Sequence, residues 1–223
     1  MMKRPGIAAL LSFNGGYVDT AGFLGLQGLF TAHVTGNFVT LGAALVLGTH
    51  GVAAKLLALP EFILMVALAR LAGATLAARG RSATRPLLVA KVLLLLAFFL
   101  LAVTLGPFPD SDAPLALLTG FTAIAAMAIQ NAVQRVHFAH LPPSTLMTGN
   151  TTQVTIDLVD LLRGLPPDKA PEVHARLKRM AASIFWFALG CAVSAGLYAW
   201  IGFWGLAVPV LVGAAAALGR LES

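Results

Sequence analysis

The tetrapeptide Val34-Thr35-Gly36-Asn37 returns in the second half of the chain as Met147-Thr148-Gly149-Asn150, and each copy opens a weakly apolar segment, 38–48 and 151–163. Thr and Asn are favoured at helix N-termini, and Gly permits unusual backbone angles or close approach. A helix that starts inside a bilayer leaves N–H groups that lipid cannot satisfy. Its first turn therefore faces protein or a watery cavity. Two such starts meeting near the bilayer centre make a partly positive, hydrogen-bond-donating constriction. Thr35, Gly36, Asn37, Thr148, Gly149 and Asn150 are thus candidates for lining a solute path. Capping of two packed short helices is the blander reading of the same residues.

Other polar residues stand inside apolar runs. Asp19 lies near the middle of the first run, where a carboxylate is expensive and faces a cavity or a partner. Proton coupling is one reading and a hydrogen-bonded structural Asp the other. Asn14, Gly15, Gly16, Tyr17 and Gly22 make the same helix polar and thin on one side, which fits a broken helix, a close crossing or a lined path. Arg70 either snorkels to the cytoplasmic interface or reaches inward towards Asp19 or an anion. Lys91 is expected to snorkel, and Glu61 to sit at the outer interface. Gln130, Asn131, Gln134 and Arg135 cluster in one run, Gln130 and Gln134 four apart on one helix face. They line a path or clamp neighbouring helices.

Other chemistry finds little footing. Cys191, the only cysteine, allows no intramolecular disulfide, and its apolar neighbours indicate helix packing. His137 and His140 lack a nearby carboxylate and read as loop histidines. Asp157, Asp160 and Arg163 read as the polar side of an interfacial half-helix. Phosphate-binding loops, zinc-protease and serine-hydrolase signatures are missing from the sequence. The expectation is a protein that is not an enzyme and takes no cofactor or metal.

The elements that position these residues follow from composition. Of 223 residues, 58% are hydrophobic and only 11% charged, too few ionisable side chains to build a water-facing surface. The net charge of +6 is gathered in short clusters between apolar runs, as in cytoplasmic loops, and not in a nucleic-acid-binding stripe. Six runs, 7–28, 57–78, 86–106, 114–134, 181–201 and 203–219, are each near the length a bilayer demands. The N-terminus imitates a signal peptide but lacks a cleavage site and belongs to the internal repeat, so it is expected in the mature chain.

Around the paired triplets the order of elements repeats. Asp19 aligns with Asn131 after one inserted residue, and Val66–Arg70 aligns with Phe187–Cys191. If the weak segments do not span, the cytoplasm receives Lys3, Arg4, Arg79, Arg81, Arg85, Arg135, Arg163, Lys169, Arg176, Lys178, Arg179 and Arg220, and the outside receives Lys55, Asp110 and Asp112. That arrangement obeys the positive-inside rule. Three spans per repeat is odd, so the repeats insert oppositely. The expected fold is an all-α membrane protein with six transmembrane helices. It forms one integral domain over 1–223, made of two inverted three-helix repeats, about 7–106 and 114–219, each with a short re-entrant half-helix. Both termini face the cytoplasm. The second repeat has a longer basic loop, roughly 163–180, of which segment 167–180 is amphipathic and expected on the cytoplasmic headgroups.

Gly16-Tyr17-Val18-Asp19 followed by Gly22-Phe23, then Val34–Asn37, Gln130-Asn131-Ala132 and Met147–Asn150, resembles the YoaK family of uncharacterised bacterial membrane proteins. The resemblance spans about residues 8–219. It implies a bacterial plasma-membrane location and about six spans, and no activity. From the residues themselves the leading expectation is a transporter or facilitator of a small solute, embedded in the bilayer, without nucleic-acid partners and open to homo-oligomerisation. A passive channel, or a membrane adaptor or sensor presenting the basic loop, are the alternatives.

Overall fold

In lipid, backbone polar groups have to be satisfied within the chain, and helices do this within each segment. The computed structural model describes residues 6–219, and these contain helices, turns and no strand. The helices are α1 (Ile7–Gly25), α2 (Asn37–Leu47, entered through a 3-10 turn at Val34–Gly36), α3 (Val52–Ala78), α4 (Thr84–Leu105), α5 (Pro114–His137), α6 (Met147–Arg163), α7 (Ala170–Ile201) and α8 (Ala207–Leu218, entered through a 3-10 segment at Gly202–Leu206). Four stretches are long and apolar enough to cross a membrane: α3, α4, α5 and the stretch Ala170–Leu218, in which Gly202 (φ 58°) divides α7 from the 3-10 segment and α8. Lys3, Arg4 and Arg220, expected on the cytoplasmic side with the termini, lie outside the described residues.

The two weak segments are the short helices α2 and α6. Between α2 and α3 the chain reverses in four residues, which is possible because Gly48 and Gly51 adopt φ of 64° and 89°. Asp112, from the α4–α5 loop, accepts the N–H groups of Gly51, Val52 and Ala54 at 3.1, 3.0 and 2.9 Å. A carboxylate from elsewhere in the chain thus satisfies the free donors at the start of α3.

The two halves pack alike. α1 lies against α7 as α5 lies against α3; α4 contacts α5 as α8 contacts α1; α2 sits on α3 as α6 sits on α7; α4 meets α8 and α1 meets α5. Exchanging α1–α4 for α5–α8 maps this set of contacts onto itself. The α1–α7 crossing is parallel and close. Ser12 bonds Ser183 at 2.8 Å, Cys191 Sγ–H points at the Gly16 carbonyl at 3.4 Å, and Gly16 and Gly190 back onto the opposite main chain. Of the readings open for the thin face of α1, close crossing holds at these positions, and Cys191 packs as expected.

One end of the bundle gathers the end of α1, the α2–α3 turn and the α4–α5 loop. Gln27 Nε2 donates to Phe108 O at 3.2 Å, and Lys55 Nζ donates to Gln27 O and His50 O at 2.9 and 3.2 Å. The other end brings Arg85, at the start of α4, to Gly219 O past α8, at 3.5 Å.

Three expectations change. Segment 167–180 is not a separate surface element: from Ala170 onward it is the first turns of α7, and the connection shrinks to 164–169. The cause is an α6–α7 lock. Arg176 Nε and Nη2 donate to Asp157 Oδ2 and Oδ1 at 2.9 and 2.7 Å, and Gln153 Nε2 adds a bond of 2.8 Å. Asp157 is therefore buried rather than on a polar outer face, and the Arg176 guanidinium holds its carboxyl below the usual carboxylate range. Lys91 does not snorkel. It is 1% exposed, on the face of α4 between Leu88 and Leu95 that packs on neighbouring helices, and its Nζ has no hydrogen-bond partner among the described residues.

Candidate functional site

The chain leaves α1 at Leu26 and turns back before α2 begins. Asp19 Oδ1 accepts the N–H groups of Thr31, Ala32 and His33 at 2.8, 2.8 and 3.2 Å. Asp19 is six residues before Gly25, so this loop dips about 9 Å below the end of α1. Asn37 fixes the same loop from the other side: its Oδ1 accepts Phe30 N–H at 2.9 Å and its Nδ2 donates to Phe30 O at 2.8 Å.

The second half repeats the device with different side chains. Gln134 Nε2 donates to Pro142 O, and Gln134 Oε1 accepts the N–H of Ser144 at 2.9 Å and also its hydroxyl. Asn131 Oδ1 accepts the Thr145 hydroxyl at 2.8 Å. Gln130 Nε2 donates to Ser144 Oγ at 3.0 Å and to Leu11 O at 2.9 Å, so the Gln130/Gln134 face does act as one. Asn150 Nδ2 donates to Pro143 O at 2.9 Å, seven residues upstream, as Asn37 reaches seven residues back to Phe30. Pro143 has no N–H, so the second bond of the Asn37 pair has no counterpart.

The Asn of each triplet is therefore a loop staple and not a helix cap; neither α2 nor α6 has a side-chain cap. Asn37→Ala leaves the Phe30 N–H and C=O both unpaired and is expected to cost about 2–4 kcal/mol, against about 1 kcal/mol for Asn150→Ala. Unfolding midpoints in detergent measure this, and an equal or reversed order would contradict the staple.

The two dips approach each other. Ser144 and Thr145 lie against Gly15, where an added Cβ would come within 2.8 and 3.3 Å of Ser144 O and Thr145 Cγ2. Gly15 is four residues from Asp19, about 6 Å along α1. Beside this meeting point is a cavity of about 420 Å³. Its walls are Ala32–Thr35 from the first dip, Pro143, Thr145 and Leu146 from the second, Leu59, Phe62 and Val66 of α3, and Asn131, Gln134 and Arg135 of α5. It is a mostly apolar hollow with a few polar groups, at the junction of the two halves.

Of the residues singled out from sequence, Thr35, Asn131, Gln134 and Arg135 line this cavity. Asp19, Asn37, Gln130 and Asn150 shape the loops that wall it and are themselves buried. Gly36 follows Thr35 in the 3-10 turn. Thr148 faces a separate open groove along α6 with Thr151, Thr152 and Thr155, and Gly149 has open space where a side chain would stand. Asn14 joins α1 to α8, donating to Pro209 O at 3.1 Å. Arg70 borders a small cleft with Gly73, Leu87 and His137, and makes no ion pair with Asp19 or any other described residue. His33, Ser144 and Thr145 were not singled out. Ser144 and Thr145 stand as far before Asn150 as Thr31 and Ala32 stand before Asn37, a correspondence the repeat makes readable.

A 156-residue stretch is 30% identical to the UPF0700 transmembrane protein YoaK of Bacillus subtilis (strain 168), covering 70% of this chain and 67% of that protein. No solved structure matches the chain. The family model described as protein of unknown function (DUF1275) matches residues 7–219, the whole helical bundle with both dipped loops, and the chain is accordingly a transmembrane protein that belongs to that family.

Proposed function

We propose that the chain is a transporter or facilitator of a small solute in the bacterial plasma membrane, with the solute passing between two inverted three-span repeats. The observation that carries this is the cavity of about 420 Å³ walled jointly by the paired loops of both halves. In this reading α2 and α6 are re-entrant half-helices. Eleven residues of α2 reach only about 16 Å, half a hydrocarbon core. Two features support opposite insertion of the repeats: the exchange-symmetric packing, and the antiparallel course of α1 and α5 between the two ends of the bundle. The cytoplasmic end is the one bearing Arg79, Arg81 and Arg85, by the positive-inside rule.

Thr35 is exposed and lines the cavity, so it is the reporter of choice. On a Cys191→Ala background, Thr35→Cys is expected to be modified by a thiol reagent, and modification to block efflux of a mixed panel of small metabolites from proteoliposomes, read by mass spectrometry. Complete modification with unchanged efflux would reject the path. Uptake above the equilibrium concentration separates a coupled carrier from a passive channel.

A further inference from the structure

The charge of the cavity wall is one-sided. Arg135 of α5 and His33 of the first dip face it, and its lining holds no Asp or Glu. Among the described residues neither the Arg135 guanidinium nor the His33 ring makes a hydrogen bond or an ion pair, whereas the amides of the lining Asn131 and Gln134 are spent, Gln134 and the Asn131 oxygen on the second dip and Asn131 Nδ2 on Met127 O of α5. The Thr35 hydroxyl is likewise unengaged, at the N-terminal end of the turn that leads into α2. The lining reaches Thr35 and Leu146, just ahead of α2 and α6, so two helix N-termini lie behind this wall and add positive potential beside Arg135. Leu59, Phe62 and Val66 of α3 add an apolar wall. A guanidinium that has no carboxylate of its own offers five donors to an anion.

We infer that the cavity takes a small organic anion, one carboxylate on an apolar body, held by Arg135 with Thr35 and His33 while the body lies against α3. The inference rests on the solute-path reading above and names its substrate class. A cation or a strongly hydrated dianion fits badly: the first meets only like charge, and the second finds an apolar wall on one side.

The test uses three probes of one size that differ in charge: benzoate, benzylammonium and benzyl alcohol. The full chain carrying Thr35→Cys and Cys191→Ala is reconstituted in phosphatidylcholine vesicles, and the rate of thiol modification is read with each probe. Benzoate is expected to slow modification at least tenfold at saturation, and benzylammonium and benzyl alcohol to leave it unchanged. Adding Arg135→Gln is expected to raise the benzoate concentration needed by about tenfold or more, about 1.4 kcal/mol, with Arg135→Lys in between. Arg135 is exposed, so these variants keep the fold. Equal protection by the three probes, or protection by benzylammonium alone, overturns the anion assignment while efflux block by Thr35 modification still upholds the path. Protection by none overturns the assignment as well. Vesicles containing phosphatidylglycerol supply the other source of an anion: if that lipid alone protects and benzoate adds nothing, the cavity holds a lipid headgroup and the solute assignment falls.

Discussion

Gly190→Leu is expected to leave no folded monomer in detergent, where Gly196→Ala on the same helix is silent or slightly stabilising. A Cβ at Gly190 would collide with the Phe13 carbonyl oxygen and come within 3.0 Å of Phe13 C and Tyr17 N. These are backbone atoms of a rigid helix and cannot turn aside as the end of a side chain can. The parallel α1–α7 crossing would have to open along its length, and with it the Ser12–Ser183 bond and the Cys191 contact to Gly16 O. Helix association in lipid rests on such close packing, because there is no hydrophobic gain between helices to replace it. Gly196 has nothing within 4 Å of its would-be Cβ, so only helix propensity is felt there, about 1 kcal/mol in favour of Ala. Size-exclusion profiles and unfolding midpoints of the two variants decide the matter. A stable Gly190→Leu monomer would mean that α1 and α7 do not cross as described.

That crossing was only half legible in the sequence. Gly15, Gly16 and Gly22 marked α1 as thin, but a glycine row serves a kink, a path or a contact equally well, and its partner Gly190 lies in a distant run. Runs of apolar residues gave the helices to within a few positions at most ends, since length and hydropathy are set locally by the bilayer. α7 is the exception. It starts at Ala170 rather than near 181 because the Arg176–Asp157 pair joins residues 19 apart, and hydropathy carries no record of such a contact. Lys91 failed for a related reason: a single Lys near the end of an apolar run has the same sequence signature whether its helix face meets lipid or protein.

At the dipped loops the repeat was the informative signal, and it located the site better than residue chemistry did. Thr-Gly-Asn stands beside both dipped loops, but its Asn makes a different bond from the expected cap. Capping is a rule about the residue just before a helix, whereas Asn37 and Asn150 lie in the first turns and reach back seven residues to a loop whose course no local rule predicts. The halves have also diverged where they grip the loops. One carboxylate oxygen of Asp19 takes three N–H donors, while the second half divides the work between Asn131 and Gln134. On the proposed reading the two halves need not be energetically equal, since one grips its loop through a single carboxylate oxygen and the other through two amides.

The other large effect is expected at Asp19. Asp19→Ala orphans the N–H groups of Thr31, Ala32 and His33. At about 1–3 kcal/mol for each donor left unpaired, the loss is on the order of 3–9 kcal/mol, enough to release the first dip and empty the cavity wall of Ala32–Thr35. Asp19→Asn keeps an acceptor of the same shape in the same place. Where the carboxyl is ionised, Asn loses the charge assistance, which makes such bonds about twice as strong, so up to about 1–2 kcal/mol is expected. If Asp19 serves only to hold the loop, unfolding midpoint and solute flux fall together, in the order wild type, Asn, Ala. A proton-coupling Asp19 gives a different result: Asp19→Asn then keeps its midpoint and its downhill flux but loses uptake above equilibrium, because Asn cannot titrate. The repeat supplies the control. Asn131→Asp places a carboxylate at the mate position, where Oδ1 still accepts the Thr145 hydroxyl but the Nδ2 bond to Met127 O is lost. A loop-holding pair predicts that Asn131→Asp changes stability modestly and leaves the pH profile of flux as it was. A shifted profile would make the two mates a shared titrating site and would displace the structural account of Asp19.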